Sequence, residues 1–350
     1  MYDFLIVGGG LAGSTLAFRL LNSGAKVMVM DQPLQNISSH IAAGIVNPLT
    51  GKRTALTWNA HSIFEELHNF YPFLEKKFSD SFFYNLPTYK LFDSVFEQNE
   101  WLNKKKSVGF EDFMDSDIRF LDDSKVNNSF GALHILQTGR LNIPAYIRSL
   151  HQYLEQKESI VFELFRNEHL SYGNDSFNYG KLNYAKIIFA DGTYTAQTEQ
   201  FSYLPFKNVH GEILEVEIND FYEDRIINKG IFILPQGNNK FLVGATYNWD
   251  LNTPITTEKG REELETKLAN LIKMPFKTIG HRAGIRPSTN DRRPFLGEHP
   301  ALKNQFIFGG FGSKGVSLIP YLSKVFVDYL LNDGELPLET DICRIKQKGN

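Results

Sequence analysis

The first 31 residues run in the order strand, glycine loop, helix, strand and acid, and this order constrains the fold more than any other feature of the sequence. An apolar run over Tyr2–Val7 precedes the pattern G-x-G-x-x-G at residues 8–13. A helical segment follows over Leu11–Leu21, and a second strand over Lys26–Met30 ends at Asp31. We therefore predict a β-α-β unit that binds a dinucleotide.

Each glycine of this loop has a distinct physical task. Gly8 permits the tight turn, Gly10 lets the backbone approach a pyrophosphate, and Gly13 allows the helix to pack closely on the strand. The helix N-terminus offers free N–H groups and a positive dipole to the phosphates. Asp31 can accept hydrogen bonds from ribose hydroxyls, and its charge disfavours NADP. A purely structural glycine turn in another α/β unit is the alternative.

The composition describes a globular chain without a strong charge imbalance. With 350 residues, 42% of them hydrophobic, the chain can bury the cores of two domains or of one large domain. A formal net charge of −3 excludes a global basic field that would attract nucleic acid or an anionic membrane. No apolar run approaches the length of a membrane-spanning helix, so we expect no membrane partner.

The cysteine and histidine content argues against disulfides and metal sites. The single cysteine, Cys343, excludes an internal disulfide and fits a reducing compartment, so we expect a cytoplasmic location. The nine histidines show no H-E-x-x-H spacing, and no metal is expected. We interpret His40 and His210 as ordinary hydrogen-bonded histidines, with a place in a pocket as the alternative. Lys52-Arg53 is interpreted as a surface pair that could instead meet an acidic substrate or RNA.

Further segments follow patterns that are shared by one family of flavoproteins. Residues 38–48, S-S-H-I-A-A-G-I-V-N-P, resemble its S-x-x-A-A-G-x-x-x-P loop. Residues 187–192 form an apolar strand ending in A-x-G, and residues 204–212, L-P-F-K-N-V-H-G-E, are similar to L-P-L-K-x-V-R-G-Q. Residues 283–297 resemble A-G-x-R-P-x-T-x-D-x-x-P-x-x-G, and G-S-K-G at residues 312–315 precedes a helix.

On these segments the chain resembles the D-amino-acid oxidase superfamily of FAD-dependent oxidases, which includes glycine oxidase and the oxidase domain of a bifunctional tRNA-modifying enzyme. Residues 232–235 and 241–246 add strands similar to Y-I-V-P and L-V-V-G-A-T of glycine oxidase. The resemblance implies FAD held without a covalent bond, because Cys343 lies far beyond the flavin-linking cysteine of some relatives. Cofactor contacts are then expected at Gly8, Gly10, Leu11, Ala12, Gly13, Asp31, Ser38, Ser39, Ala42, Ala43, Gly44, Ala190, Gly192, Gly284, Arg286, Gly310, Gly312, Ser313, Lys314, Gly315 and Val316.

The resemblance also assigns the candidate catalytic residues Arg286, Phe232 and Lys314. The arginine of G-x-R-P, here Arg286, implies a two-pronged ion pair with a substrate carboxylate; an arginine that ties loops together is the alternative. Lys314 either adds a cation beside the flavin or is a solvated loop lysine. Phe232 stands where amino-acid oxidases carry a carboxylate-holding tyrosine, and Leu242 stands where sarcosine oxidases carry an oxygen-activating lysine.

The resemblance implies an α/β fold, with a Rossmann-like FAD-binding domain and an α+β substrate domain that contains a mainly antiparallel sheet. We predict helices over Trp58–Phe70, Asn142–Gln156 and Thr257–Ile272, and we leave residues 71–130 unassigned. The predicted division is a discontinuous FAD-binding domain of residues 1–50, 131–200 and 281–335, a substrate domain of residues 51–130 and 201–280, and a C-terminal tail of residues 336–350.

The leading function implied by the resemblance is oxidation of a C–N bond in a small amine or an N-substituted or D-amino acid, by hydride transfer to flavin N5. A tRNA wobble-uridine carboxymethylaminomethyl oxidase is one alternative, favoured by residues 204–212 and 312–315. A non-catalytic flavoprotein that keeps the fold is another. The expected partner is a small-molecule amine or amino acid, and nucleic acid enters only with the tRNA alternative. The electron acceptor and the oligomeric state stay open.

Overall fold

Two large sheets organise the chain in the computed structural model, which describes residues 1–32, 38–50, 55–122, 124–173, 176–221 and 223–345. The helices are α1 (Leu11–Asn22), α2 (Ser38–Ile41), α3 (Ala60–Phe78), α4 (Val95–Lys105), α5 (Ile143–Gln156), α6 (Glu258–Leu271) and α7 (Gly315–Asn332). The strands are β1 (Tyr2–Val7), β2 (Val27–Met30), β3 (Ile45–Val46), β4 (Leu49–Thr50), β5 (Ala55–Leu56), β6 (Phe83–Tyr84), β7 (Thr88–Leu91), β8 (Met114–Arg119), β9 (Ala132–Ile135), β10 (Gly139–Leu141), β11 (Ile160–Val161), β12 (Leu170–Tyr172), β13 (Phe177–Tyr179), β14 (Leu182–Phe189), β15 (Val209–Glu217), β16 (Ile226–Lys229), β17 (Ile231–Gly237), β18 (Lys240–Gly244), β19 (Lys277–Arg286), β20 (Phe295–Glu298) and β21 (Gln305–Gly309).

The first sheet has a parallel centre that is buried on both faces. β1 pairs in parallel with β2 and β14, β2 with β11, and β14 with β21, while β12, β13 and β20 are antiparallel additions. Phe4 and Ile6 pack into the cluster that includes α1, α5 and α7, and Leu5 and Val7 pack into a cluster on the opposite face. Burial on both faces explains why β1 is a continuous apolar run rather than an alternating one.

The parallel arrangement brings three chain segments to one edge of this sheet. The last residue of β1, Val7, is in register with the last residues of β2 and β14, Met30 and Phe189. The loops that follow these strands therefore begin side by side, at Gly8, Asp31 and Ala190. The carboxyl edge of an open parallel sheet is the usual ligand site in such folds.

The second sheet is antiparallel except for the parallel pair β16–β7, and its strand order is β19-β15-β18-β17-β16-β7-β9-β8. Helix α6 packs on one face through Leu264, Leu268 and Leu271. Its first turn is capped by the Thr257 hydroxyl, which accepts a hydrogen bond from the Gly260 N–H at 3.0 Å. The opposite face carries a separate apolar cluster that includes Leu234, Leu242 and Ala43 of the 38–48 loop, so this face is turned toward that loop.

The predicted architecture, a Rossmann-like unit with a mainly antiparallel second sheet, is confirmed. Helices α1, α5 and α6 begin and end within one residue of the predicted bounds. Helix α3 differs, because it continues past Pro72 to Phe78 instead of ending at Phe70. Tyr71 and Leu74 extend its buried face, and this packing outweighs the single backbone hydrogen bond that a proline removes.

The unassigned region 71–130 supplies α4, β6, β7 and β8, and its strands β7 and β8 join the second sheet together with β9. Overall, the first sheet draws on residues 2–30, 160–189 and 295–309, and the second draws on residues 88–135 and 209–286. The division into two domains stays a prediction. Within the described residues, no helix has the length and apolarity needed to cross a membrane.

Candidate active site

A cavity of about 2160 Å³ is lined by loops of the first sheet and by strands of the second. Ordinary small-molecule pockets hold roughly 300–1,000 Å³, so this space is large enough for a dinucleotide and a second small molecule. All predicted site residues except Gly13 line it. They are Gly8, Gly10, Leu11, Ala12, Asp31, Ser38, Ser39, Ala42, Ala43, Gly44, Ala190, Gly192, Phe232, Gly284, Arg286, Gly310, Gly312, Ser313, Lys314, Gly315 and Val316.

The glycine loop after β1 is sterically restricted to glycine at two positions. Gly8 has φ of +100°, and a Cβ there would lie 2.6 Å from the Cα of Asp191. A Cβ on Gly13 would lie 1.8 Å from the carbonyl oxygen of Gly8. Gly13 therefore contributes to the site by letting α1 approach the loop, which explains why it does not line the cavity itself.

Two side chains hold the loop and the start of α1 in place. The Gly9 N–H donates to Oδ1 of Asp31 at 2.7 Å, so this carboxylate already fixes the loop through one of its oxygens. The Leu11 N–H donates to the hydroxyl of Ser39 at 3.2 Å. The hydroxyl of Ser38 donates to the carbonyl oxygen of Ile285, which ties the short helix α2 to the end of β19. The 38–48 loop is thus joined to both sheets.

His151 contacts the glycine loop, a role that was not predicted from the sequence. Its Nε2 lies 2.7 Å from the carbonyl oxygen of Gly9 and 3.2 Å from the hydroxyl of Ser14. Ser14 in turn donates to the same carbonyl at 2.6 Å. A contact over 142 positions has no local signature, because it depends on how α5 packs beside α1.

The turn before α7 places a lysine at the cavity. Gly310 and Gly312 both have positive φ, at +78° and +57°, and the chain then enters α7 at Gly315. The Nζ of Lys314 is 3.3 Å from the hydroxyl of Thr57. Burial, with a smaller contribution from Arg293 and Arg292, lowers the pKa of Lys314 to about 8. Thr57 is a further residue at this position that sequence reasoning missed.

Arg286 projects into the cavity from the last position of β19. Its Nη1 is 3.4 Å from the carbonyl oxygen of His210 and 3.3 Å from that of Thr246, and its Cζ is 4.4 Å from the ring centre of Tyr247. Burial lowers the pKa of the guanidinium from its ordinary value. Among the described residues no carboxylate pairs with it within 4.0 Å, unlike Arg19, which pairs with Glu66 at 2.6 Å.

The wall beside Arg286 is apolar. Phe232 of β17 lies opposite Gly244 of β18 in the register, and a Cβ on Gly244 would be 2.9 Å from the Phe232 ring. Ile213 and Leu242 are buried in the same cluster as this ring. Leu242 does not line the cavity, whereas Phe232 and Ile213 do. The structure therefore has an aromatic ring without a hydroxyl at this wall.

The remaining candidates have structural contacts. His210 is fully buried, with Nε2 at 2.8 Å from the carbonyl oxygen of Ile255, as expected for an ordinary hydrogen-bonded histidine. Cys343 is exposed and lies outside the cavity lining. In the described ranges no group of three or more His, Cys, Asp or Glu side chains is placed to hold a metal. Lys52-Arg53 lies outside the described residues.

Comparison with known proteins identifies relatives over nearly the whole chain. A family model described as FAD dependent oxidoreductase matches residues 3–329. The tRNA 5-methylaminomethyl-2-thiouridine biosynthesis bifunctional protein MnmC of Idiomarina loihiensis is 23% identical over 98% of this chain and 57% of its own length. The chain thus spans just over half of that relative, and 54% of the bifunctional protein ThiO/ThiG of Nostoc sp., which is 22% identical.

Glycine oxidase resembles the chain over its full length. The glycine oxidase of Geobacillus kaustophilus is 22% identical over 93% of this chain and 92% of its own. The crystal structure of glycine oxidase from the same species superposes with a TM-score of 0.80 over 100% of this chain and 99% of that one, at 20% identity. Iminodiacetate oxidase from Chelativorans sp. superposes with a TM-score of 0.78 over 97% and 99%, at 18% identity.

Proposed function

The chain belongs to the family of FAD-dependent oxidoreductases, and from this premise we propose that it oxidises a C–N bond of a small amine or amino acid that carries a carboxylate. Relatives named glycine oxidase and iminodiacetate oxidase support this substrate class. The observation that carries the proposal is Arg286, a guanidinium at the cavity with no acidic partner among the described residues. A half-buried cation without a carboxylate partner among the described residues fits a ligand that brings the negative charge.

The described residues fit FAD as the cofactor. The glycine loop and the N-terminus of α1 line the cavity where a pyrophosphate needs N–H donors, and Asp31 lines it where a ribose needs an acceptor. Asp31 uses Oδ1 to hold Gly9, which leaves Oδ2 for a hydroxyl donor. Because Cys343 is exposed away from the cavity, we propose that the cofactor is held without a covalent bond.

Bound FAD supplies the acceptor for the hydride that leaves the substrate carbon as its C–N bond becomes C=N. The chain's own contribution is binding, orientation and charge. The Arg286 fork holds the substrate carboxylate, which orients the neighbouring C–H bond. Lys314 and the N-terminus of α7 place positive charge beside the cavity, where negative charge develops on reduction. Phe232 and Ile213 supply an apolar wall to the same cavity.

Phe232 indicates how the substrate differs from a simple α-amino acid. The ring keeps the apolar wall but offers no hydroxyl to a carboxylate or an ammonium group. We therefore propose an N-substituted amino acid, whose N-alkyl group can pack against the apolar wall.

Replacement of Arg286 tests this function. For a carboxylate-bearing amine, Arg286→Ala should raise KM about a hundredfold or more, because two charge-assisted hydrogen bonds are lost. Arg282→Ala is the matched control, since Arg282 lies on the same strand but outside the cavity lining. Unchanged KM in Arg286→Ala, with FAD still bound, would contradict the proposed role.

A tRNA substrate is the second candidate, favoured by the MnmC relative and by one surface feature. In the 204–212 segment, the Nζ of Lys207 lies 4.8 Å from the ring centre of Trp249, and this tryptophan is 46% exposed. An exposed ring beside a cation suits base stacking and phosphate contact. Binding of undermodified tRNA at low salt, lost in Lys207→Ala, would support this candidate; no binding at low salt removes it.

A further inference from the structure

The guanidinium of Arg286 has two close neighbours. A Cβ on Gly211 would lie 2.1 Å from Nη2, 2.2 Å from Nη1 and 2.3 Å from Cζ, so the guanidinium rests directly on the Gly211 backbone. The Tyr247 ring centre lies 4.4 Å from Cζ, within the range of a cation–π contact.

The edge of the guanidinium remains for a ligand. Its hydrogen bonds from Nη1 to the carbonyl oxygens of His210 and Thr246 measure 3.4 and 3.3 Å. Both exceed the usual distance of about 2.9 Å, so they hold one edge only loosely. A carboxylate that approaches the guanidinium in its own plane can form a two-pronged ion pair with it.

We propose that Tyr247 is a positioning residue that fixes the plane of the Arg286 guanidinium and thereby makes the site select carboxylates over uncharged groups. This inference rests on the proposed role of Arg286. Tyr247 directly follows the G-A-T sequence of residues 244–246.

The ring of Tyr247, rather than its hydroxyl, carries this role. The ring face attracts a cation through its quadrupole, whereas the hydroxyl has no part in the contact with Cζ. Tyr247 is 62% exposed, so its apolar packing contributes little to folding. Substitution at this position should therefore leave the fold intact and act on Arg286 alone.

The expected loss of carboxylate affinity follows from the strength of the cation–π contact. Such a contact is worth about tenfold in binding when the cation is partly desolvated, as burial makes Arg286. Loss of the ring frees the guanidinium to rotate away from the productive plane. An uncharged ligand of the same shape does not use the two-pronged pair, so its affinity should not change.

The test uses the flavin absorbance spectrum of the holoenzyme to measure binding of acetate, glycolate and benzoate, with benzamide as the uncharged counterpart of benzoate. The variants are Tyr247→Leu, Tyr247→Phe and Arg286→Ala. Tyr172→Leu is the matched control, because Tyr172 is 59% exposed, much like Tyr247, and lies outside the cavity lining. Tyr247→Leu should weaken carboxylates about tenfold and leave benzamide unchanged. Tyr247→Phe and Tyr172→Leu should both stay within about twofold of the wild type.

Each contrary result has a separate meaning. If Arg286→Ala abolishes carboxylate binding but Tyr247→Leu keeps wild-type affinity, the positioning role is wrong and the proposed function stands. Equal losses in Tyr247→Phe and Tyr247→Leu would assign the effect to the hydroxyl and overturn the proposal. If Arg286→Ala keeps full affinity, or no carboxylate binds the wild type, the proposed function fails and this inference fails with it.

Discussion

Gly211 offers a way to displace Arg286 without removing it. In Gly211→Ala the new Cβ would start 2.1–2.3 Å from three guanidinium atoms, whereas ordinary carbon contacts need about 3.5 Å. The guanidinium must therefore move by more than about 1 Å, because the backbone at Gly211 is held by its pairing with Gly284 of β19 and by the hydrogen bonds that His210 exchanges with Asn248. Displacement of a substrate-binding group by about 1 Å can lower turnover roughly a hundredfold, or about 2.7 kcal/mol.

The assay is kcat/KM of Gly211→Ala for a carboxylate-bearing amine, measured beside the thermal stability and FAD content of the variant. Gly280→Ala is the control, since Gly280 lies on β19, where a Cβ would come no closer than 3.2 Å to the Glu215 side chain. We expect kcat/KM to fall about a hundredfold in Gly211→Ala and to stay within about twofold of the wild type in Gly280→Ala. Wild-type kcat/KM in Gly211→Ala would show that substrate binding does not require Arg286 to rest on this glycine.

Other predictions concern the cofactor end of the cavity. Gly13→Ala should lower stability by about 3 kcal/mol and release FAD, because its Cβ would lie 1.8 Å from the Gly8 carbonyl oxygen; unfolding and FAD titrations check this. Burial raises the pKa of Asp191 to about 6, so the folded state favours its protonated form. Compared with Asp191→Asn, the wild type should therefore have its highest free energy of unfolding below pH 4. This free energy should fall by about 3 kcal/mol as the pH rises through 6, as measured by denaturant unfolding. The rate of flavin reduction should fall above pH 8, because Lys314 then loses its proton. Lys314→Met should not show this fall. If both proteins have the same pH–rate profile, the charge of Lys314 does not assist reduction.

The N-terminal unit was predictable because its information is local. The apolar run, the glycine spacing and Asp31 lie within 31 residues, so one short stretch of sequence contains the whole pattern. Helix α6 was equally predictable, since Leu264, Leu268 and Leu271 form one apolar stripe and Thr257 caps the start of the helix. The continuation of α3 through Pro72 could not be predicted, because it depends on a buried face that exists only after the helix packs against the rest of the protein.

At the substrate end of the cavity, several residues could not be predicted from short stretches of sequence. Arg286 and Phe232 were found by resemblance, because they lie within recurring patterns. Tyr247, Thr57 and His151 were missed, because each acts on a residue that is distant in sequence. Tyr247 meets Arg286 only after β15 is placed between β18 and β19, a register that no periodicity in the sequence predicts.

We propose that this FAD-dependent oxidoreductase oxidises an amine that it holds by its carboxylate. The most direct measurement is anaerobic loss of oxidised-flavin absorbance in the wild-type holoenzyme, with N-alkyl glycines, D-amino acids and the corresponding amides as donors. Undermodified tRNA is included as a separate donor. We expect rapid bleaching by one class of carboxylate-bearing amine and little bleaching by its amides. Equal bleaching by acids and amides, or bleaching by none of the small donors, would contradict it.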